Sequence, residues 1–200
     1  MATTWGRHAR AVVVCVLATG LCAALAAPPA LEQSAPGSWQ GGEFRWAYNP
    51  DNAPAWLSAD AARELMLEGA RKWELCGVRM VYAGESHQTP GVMDHTNVVG
   101  WRHDLPRQVR GLTQGQTRQG QLLERDIAFS PDRAEFEQAP RLLKKVIVHE
   151  FGHAIGLTHS SRCDDVMTLA ADCPRVSPES LPLNPTEHDL ARCRMLYPSH

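Results

Sequence analysis

Phe44, Trp46 and Tyr48 alternate with Glu43, Arg45 and Ala47, the period-two pattern of a strand with one buried face. Asn49-Pro50-Asp51 then turns the chain. Ser58 is of a type that caps helices, and apolar positions follow at Ala62, Leu65, Met66, Gly69, Ala70 and Trp73. That spacing is one face of a helix, which Gly77 stops. Val78, Met80 and Tyr82 alternate again. Strand, helix and strand in so short a span predict a βαβ unit, and with it a partly parallel sheet with a right-handed crossover. After a loop over 84–95, strands are predicted at 97–101, 109–113 and 122–129, with the Gln- and Gly-rich stretch 114–121 as the turn between the last two. Pro140 opens a second helix with Leu142, Leu143, Val146 and Ile147 on its apolar side. Beyond Gly156 the chain is Pro-rich and loop-like until Thr186 and Asp189, a capping-box-like start to a last helix ending near Leu196. The fold class is α+β, with no internal repeat and no second domain.

The N-terminal stretch obeys another pattern. Arg7, His8 and Arg10 precede a largely apolar run at 11–27 that Pro28-Pro29 ends. With Ala24-Leu25-Ala26 as a cleavage pattern, residues 1–26 read as a secretory signal peptide, and the run lies at the bottom of the membrane-spanning range. Residues 27–42, rich in Pro, Ala, Gly and Ser, read as a flexible lead. The expected product is exported, extracellular or periplasmic, with no stable membrane association after cleavage.

Composition narrows the partners. A hydrophobic fraction of 44% with six Trp in 200 residues excludes a disordered polyelectrolyte. A formal net charge of -2, with Arg scattered and not blocked, argues against nucleic-acid binding, which needs a concentrated excess of Lys and Arg. Cys76, Cys163, Cys173 and Cys193 remain after the signal segment. Four thiols in an oxidising compartment imply two disulfides, with three pairings open. The short spacing favours Cys163–Cys173, and Cys76–Cys193 follows by elimination.

The chemistry concentrates in His149-Glu150-Phe151-Gly152-His153-Ala154-Ile155-Gly156-Leu157-Thr158-His159. On a helix His149 and His153 are four apart, so both imidazoles face one way and can hold one zinc. Glu150 sits on the rim of that face, within reach of a zinc-activated water. Gly156 permits positive φ, so the chain can turn and His159 can supply a third nitrogen. Three histidines with one position left open make a catalytic site, whereas four protein ligands would make a structural one.

This motif, HExxHxxGxxH, is that of the metzincin metallopeptidases, and His149, Glu150, His153, Gly156 and His159 match it residue by residue. The chain resembles that family, and Ser160 directly after the third His is similar to its matrixin branch. Asp165-Val166-Met167 stands where the family has its Met-turn, whose Met forms a hydrophobic floor beneath the metal. The resemblance implies a metzincin-like catalytic domain over 43–200. It would have a twisted mixed sheet with a βαβ start, an active-site helix at about 140–155, and a small loop-rich C-terminal subdomain ending in a helix at about 187–196. It further implies a monomeric zinc endopeptidase with Glu150 as general base and a protein or peptide as substrate. The substrate would add to the edge strand at Arg110, Gly111, Leu112 and Thr113, and residues 168–185 would wall the specificity pocket.

Departures from the family pattern also bear on function. No propeptide with a zinc-capping Cys lies between the signal and the first strand. Leu169 replaces the extra Tyr ligand of astacins and serralysins. His87, His95, His103 and Asp104 lack the spacing of a second zinc loop, so one zinc is expected. Calcium sites are common in the family, but Asp94, Asp104, Asp132, Asp164 and Asp165 give no assignable set and read as solvated loop acids. Two rivals share the motif: a zinc-holding binding module without turnover, from which loss of the general base is expected, and a zinc amidase acting on a non-protein amide.

Overall fold

A computed structural model describes residues 37–169, 173, 177, 180 and 182–198. The expected signal peptide and the first part of the flexible lead lie outside the described residues. The elements run β1 (Glu43–Tyr48), α1 (Ala59–Arg71), β2 (Arg79–Glu85), β3 (Val98–Trp101), β4 (Gly111–Arg118), β5 (Gln121–Phe129), α2 (Ala134–Gln138), α3 (Pro140–Ala154) and α4 (Glu187–Leu196). One five-stranded sheet has the order β2-β1-β3-β5-β4. The pairs β1/β2, β1/β3 and β3/β5 are parallel, and β4 closes one edge antiparallel to β5. Among the described residues no helix is long and apolar enough to cross a membrane.

The βαβ start takes its shape from strong local signals. Ser58 accepts the N–H of Ala61 and caps α1. The α-helix ends at Arg71, earlier than the apolar spacing suggests, and a 3-10 turn at Glu74–Cys76 carries the chain to Gly77. Packing joins α1 to α3 closely: a Cβ on Gly69 would lie 2.5 Å from Ile147 Cγ2. Phe151 on α3 meets Trp46 and Phe44 of β1 edge-on, with ring centroids 5.1 and 6.4 Å apart. Burial of an aromatic of this size contributes about 2–3 kcal/mol. The Trp73 indole, just after α1, donates to Val148 O at 2.8 Å and ties the chain leaving α1 to α3 as well. The active-site helix is thereby clamped between sheet and helix.

Two further sequence expectations need correction. Residues 37–42 are not a loose lead. Ser38 bridges Gln121 through Ser38 N–H to Gly120 O (3.0 Å) and Leu122 N–H to Ser38 O (2.9 Å), and the Trp39 indole donates to Ala154 O at 2.8 Å. The stretch 114–121 is mostly strand, since β4 runs to Arg118 and only Gln119-Gly120, both at positive φ, make the turn. An edge strand can keep Gln, Gly, Thr and Arg because little of it is buried. The five-residue α2 is too short to show a helical period. Disulfides join Cys76 to Cys193 and Cys163 to Cys173. The first ties the turn after α1 to α4, whose start carries a capping box made by Thr186 and Asp189.

Candidate metal centre

The last two turns of α3 supply His149 and His153, and the way the helix ends supplies the rest. Leu157 N–H bonds Gly152 O at 3.0 Å and Gly156 N–H bonds His153 O at 2.9 Å, the paired bonds of a Schellman stop. Gly156 sits at φ +95°, and a Cβ there would overlap Gly37 O. The position therefore excludes side chains twice, by backbone conformation and by contact. Past this turn the chain reverses, and His159 comes back to face His153.

Residues 160–168 form a closed loop, with Ser160 bridging Thr168 and Ser160 N–H bonding Met167 O at 2.9 Å. Met167 is fully buried beneath the helix, its sulfur against the space that a Cβ on Gly152 would take. The same loop orients the first histidine: His149 Nδ1 lies 2.8 Å from Val166 O, while His153 Nδ1 lies 2.7 Å from Leu157 O. A carbonyl only accepts, so both Nδ1 atoms carry the proton and both Nε2 atoms present a lone pair. His153 Nε2 is 3.1 Å from His159 Nε2, and one ligand atom from each of the three histidines lies within 4.8 Å of the others. A proton or a metal cation has to lie between such nitrogens.

Burial keeps the ligands neutral. Desolvation pushes His149 well below its ordinary pKa and His153 down to about 3, and the neighbouring cations and imidazoles act the same way. Three converging imidazoles, two of them held neutral and bonded to backbone carbonyls through Nδ1, are a donor set suited to zinc with an open position. Burial pushes Glu150 up to about 7, opposed by the Thr113 hydroxyl. Lys145, one turn before His149, is also buried. Its Nζ donates to Thr168 O at 2.9 Å, and desolvation lowers it to about 8.

The structure thus brings together His149, Glu150, His153, Gly156, His159 and Met167. Gly111, Leu112 and Thr113 open the edge strand β4 directly over Glu150, and Arg110 just before it pairs with Glu135 at 2.9 Å. Asp165 departs from the expectation of a solvated loop acid. It is fully buried and accepts from the hydroxyls of Ser160 and Thr186 and from His188, the last at 2.6 Å. Asp189 accepts the Val166 N–H at 2.8 Å, so α4 braces the Met-containing loop. The acids expected to be solvated otherwise lie at the surface, Asp104 paired with Arg102, Asp132 with His103 and Asp164 with Arg162. No local signal marks Lys145 or the partners of Asp165; the contact of Thr113 with Glu150 spans 37 residues.

A mixed sheet with an edge antiparallel strand, a central helix carrying HExxH and a turn returning the third His is a metzincin-type arrangement. The matrixin family model matches residues 39–197, and the chain belongs to the matrixin family. No curated protein sequence matches it. A chain from the GM1-bound form of the ECX AB5 holotoxin is similar in fold, with 13% identity and a TM-score of 0.50 over 81% of this chain and 86% of that one.

Proposed function

We propose that the protein is an exported zinc-dependent endopeptidase. The observation that carries this reading is the convergence of three histidines beside a buried carboxylate at the foot of an open sheet edge. His149, His153 and His159 would hold the ion. Bound zinc supplies Lewis acidity, polarising the scissile carbonyl and lowering the pKa of a coordinated water towards 7. Glu150 takes the proton from the attacking water and hands it to the leaving amine. The outer edge of β4, from Arg110 to Thr113, offers main-chain groups on which an extended segment can add as a further strand, a mode that depends little on side chains. The expected pocket wall over 168–185 lies partly outside the described residues, and Met167 would floor the ion. The signal-like N-terminus and two disulfides support export.

Cleavage of unfolded casein, alongside zinc content, tests the reading. The chain should carry one zinc and cut casein, a chelator should abolish cutting, and added zinc should restore it. Casein left intact by the zinc-loaded chain would favour the binding module or the amidase instead.

A further inference from the structure

Gly111 and Thr113 lie two apart on β4, so both present the same face of the strand to α3. The buried Thr113 hydroxyl is 2.8 Å from Glu150 Oε2 and 3.0 Å from Glu150 O, and as a donor it holds the carboxylate to its own backbone. At Gly111 there is no room for even one carbon. An ideal Cβ would lie 2.7 Å from Glu150 Cγ, 2.8 Å from Oε1 and 2.9 Å from Val146 Cγ1. The carboxylate therefore occupies the volume of a missing side chain, with one oxygen tied and the other over the strand. The Thr113 backbone N–H also bonds the carboxylate.

We infer that Gly111 and Thr113 together form a clamp that sets the orientation of the Glu150 carboxylate. The Thr113 hydroxyl restrains Oε2, and the absent side chain of Gly111 leaves the space that Oε1 occupies. Neither residue touches the reacting atoms, so both are positioning residues. A glutamate has three rotatable side-chain torsions, and an unrestrained carboxylate would sample orientations unsuited to proton transfer. The clamp also lies on the strand proposed to receive the substrate. Main-chain pairing along the outer edge of β4 would stiffen the same residues that hold the base. This inference rests on the peptidase reading and deepens it.

The experiment compares Thr113→Val, Thr113→Ser and Gly111→Ala in the zinc-loaded full chain, with kcat and KM measured on one peptide and zinc retention measured in parallel. Val keeps the shape but removes the donor, so kcat should fall about tenfold to a hundredfold, the scale of a misplaced catalytic group, with KM and zinc retention near the parent values. Ser restores the donor and should recover most of kcat. Gly111→Ala should lower kcat in the same way by displacing Oε1, and it serves if the Val variant fails to fold. A Val or Ala variant with parental kcat, or a loss that Ser does not rescue, would overturn the clamp. Glu150→Gln separates the two claims. If the parent cuts peptide and Glu150→Gln does not, a silent Thr113→Val sinks only the clamp. If the zinc-loaded parent cuts nothing, the peptidase reading fails first.

Discussion

Replacing Gly156 with Ala should cost more than its conformation alone explains, because two separate effects meet there. An L-residue at positive φ is strained by about 1–2 kcal/mol. The added Cβ would also overlap Gly37 O, so residues 37–39 must move away. That movement breaks the bonds from Ser38 N–H to Gly120 O and from Leu122 N–H to Ser38 O, each contributing about 1 kcal/mol. The expected total is about 3–4 kcal/mol. Gly120 is the internal control: it too has positive φ, 77°, but nothing lies within 4 Å of its ideal Cβ. Gly120→Ala should therefore cost only the strain, about 1–2 kcal/mol. The two variants also differ at the metal. Shifting residues 156–159 disturbs both His159 and the Leu157 carbonyl that orients His153, so zinc affinity should drop about tenfold to a hundredfold in Gly156→Ala and not in Gly120→Ala. Urea denaturation with a chelator present gives the stabilities, and competition with a calibrated chelator gives the affinities. Equal costs for the two variants, or parental zinc affinity in Gly156→Ala, would show that the Gly37 contact does not constrain this turn.

Three further outcomes are expected. Removing Cys76–Cys193, which spans 117 residues, should cost about 5 kcal/mol by loop entropy, against about 3 kcal/mol for the ten-residue Cys163–Cys173 ring; double Ala variants followed by chemical denaturation check the order, and peptide mapping without reduction checks the pairs. Asp126 is buried and accepts from the N–H groups of Val98 and Gly91, and desolvation, with Glu124 and Asp94 nearby, raises it to about 6. The folded chain then holds a proton there that the unfolded chain releases nearer 4, so this group's stabilising contribution of up to about 3 kcal/mol is present below pH 4 and lost as pH rises through 6; carboxyl carbon shifts should show a midpoint near 6, and one near 4 would contradict the burial. His159→Ala should fold, by circular dichroism, yet lose zinc to a weak chelator that leaves the parent loaded.

What could be read from the sequence followed from how local each signal is. The period-two aromatics of β1, the Ser58 cap of α1, Pro140 at the head of α3 and the Thr186–Asp189 box each act within a few residues, and each marks an element that the fold contains. The histidine trio was legible for the same reason, since a helical i,i+4 pair and a glycine turn are defined by spacing alone. β4 was hidden because an edge strand needs no apolar alternation, and its Gln and Gly residues look like a turn. Trp39 lay in a Pro- and Gly-rich stretch whose composition outweighed one anchoring indole. Asp165 stands beside the exposed Asp164, and only the return of Thr186 and His188 from α4 distinguishes the buried acid from the solvated one. Gly111 and Thr113 carried no mark of their link to Glu150 because that contact exists only once β4 docks on α3.

In the proposed site three histidines hold the ion while Glu150 only moves protons. Glu150→Ala tests it most directly, with zinc per chain and casein turnover measured on the same purified sample. One zinc per chain and no turnover are expected. A folded variant that has lost its zinc, or one that cuts casein like the parent, would contradict it.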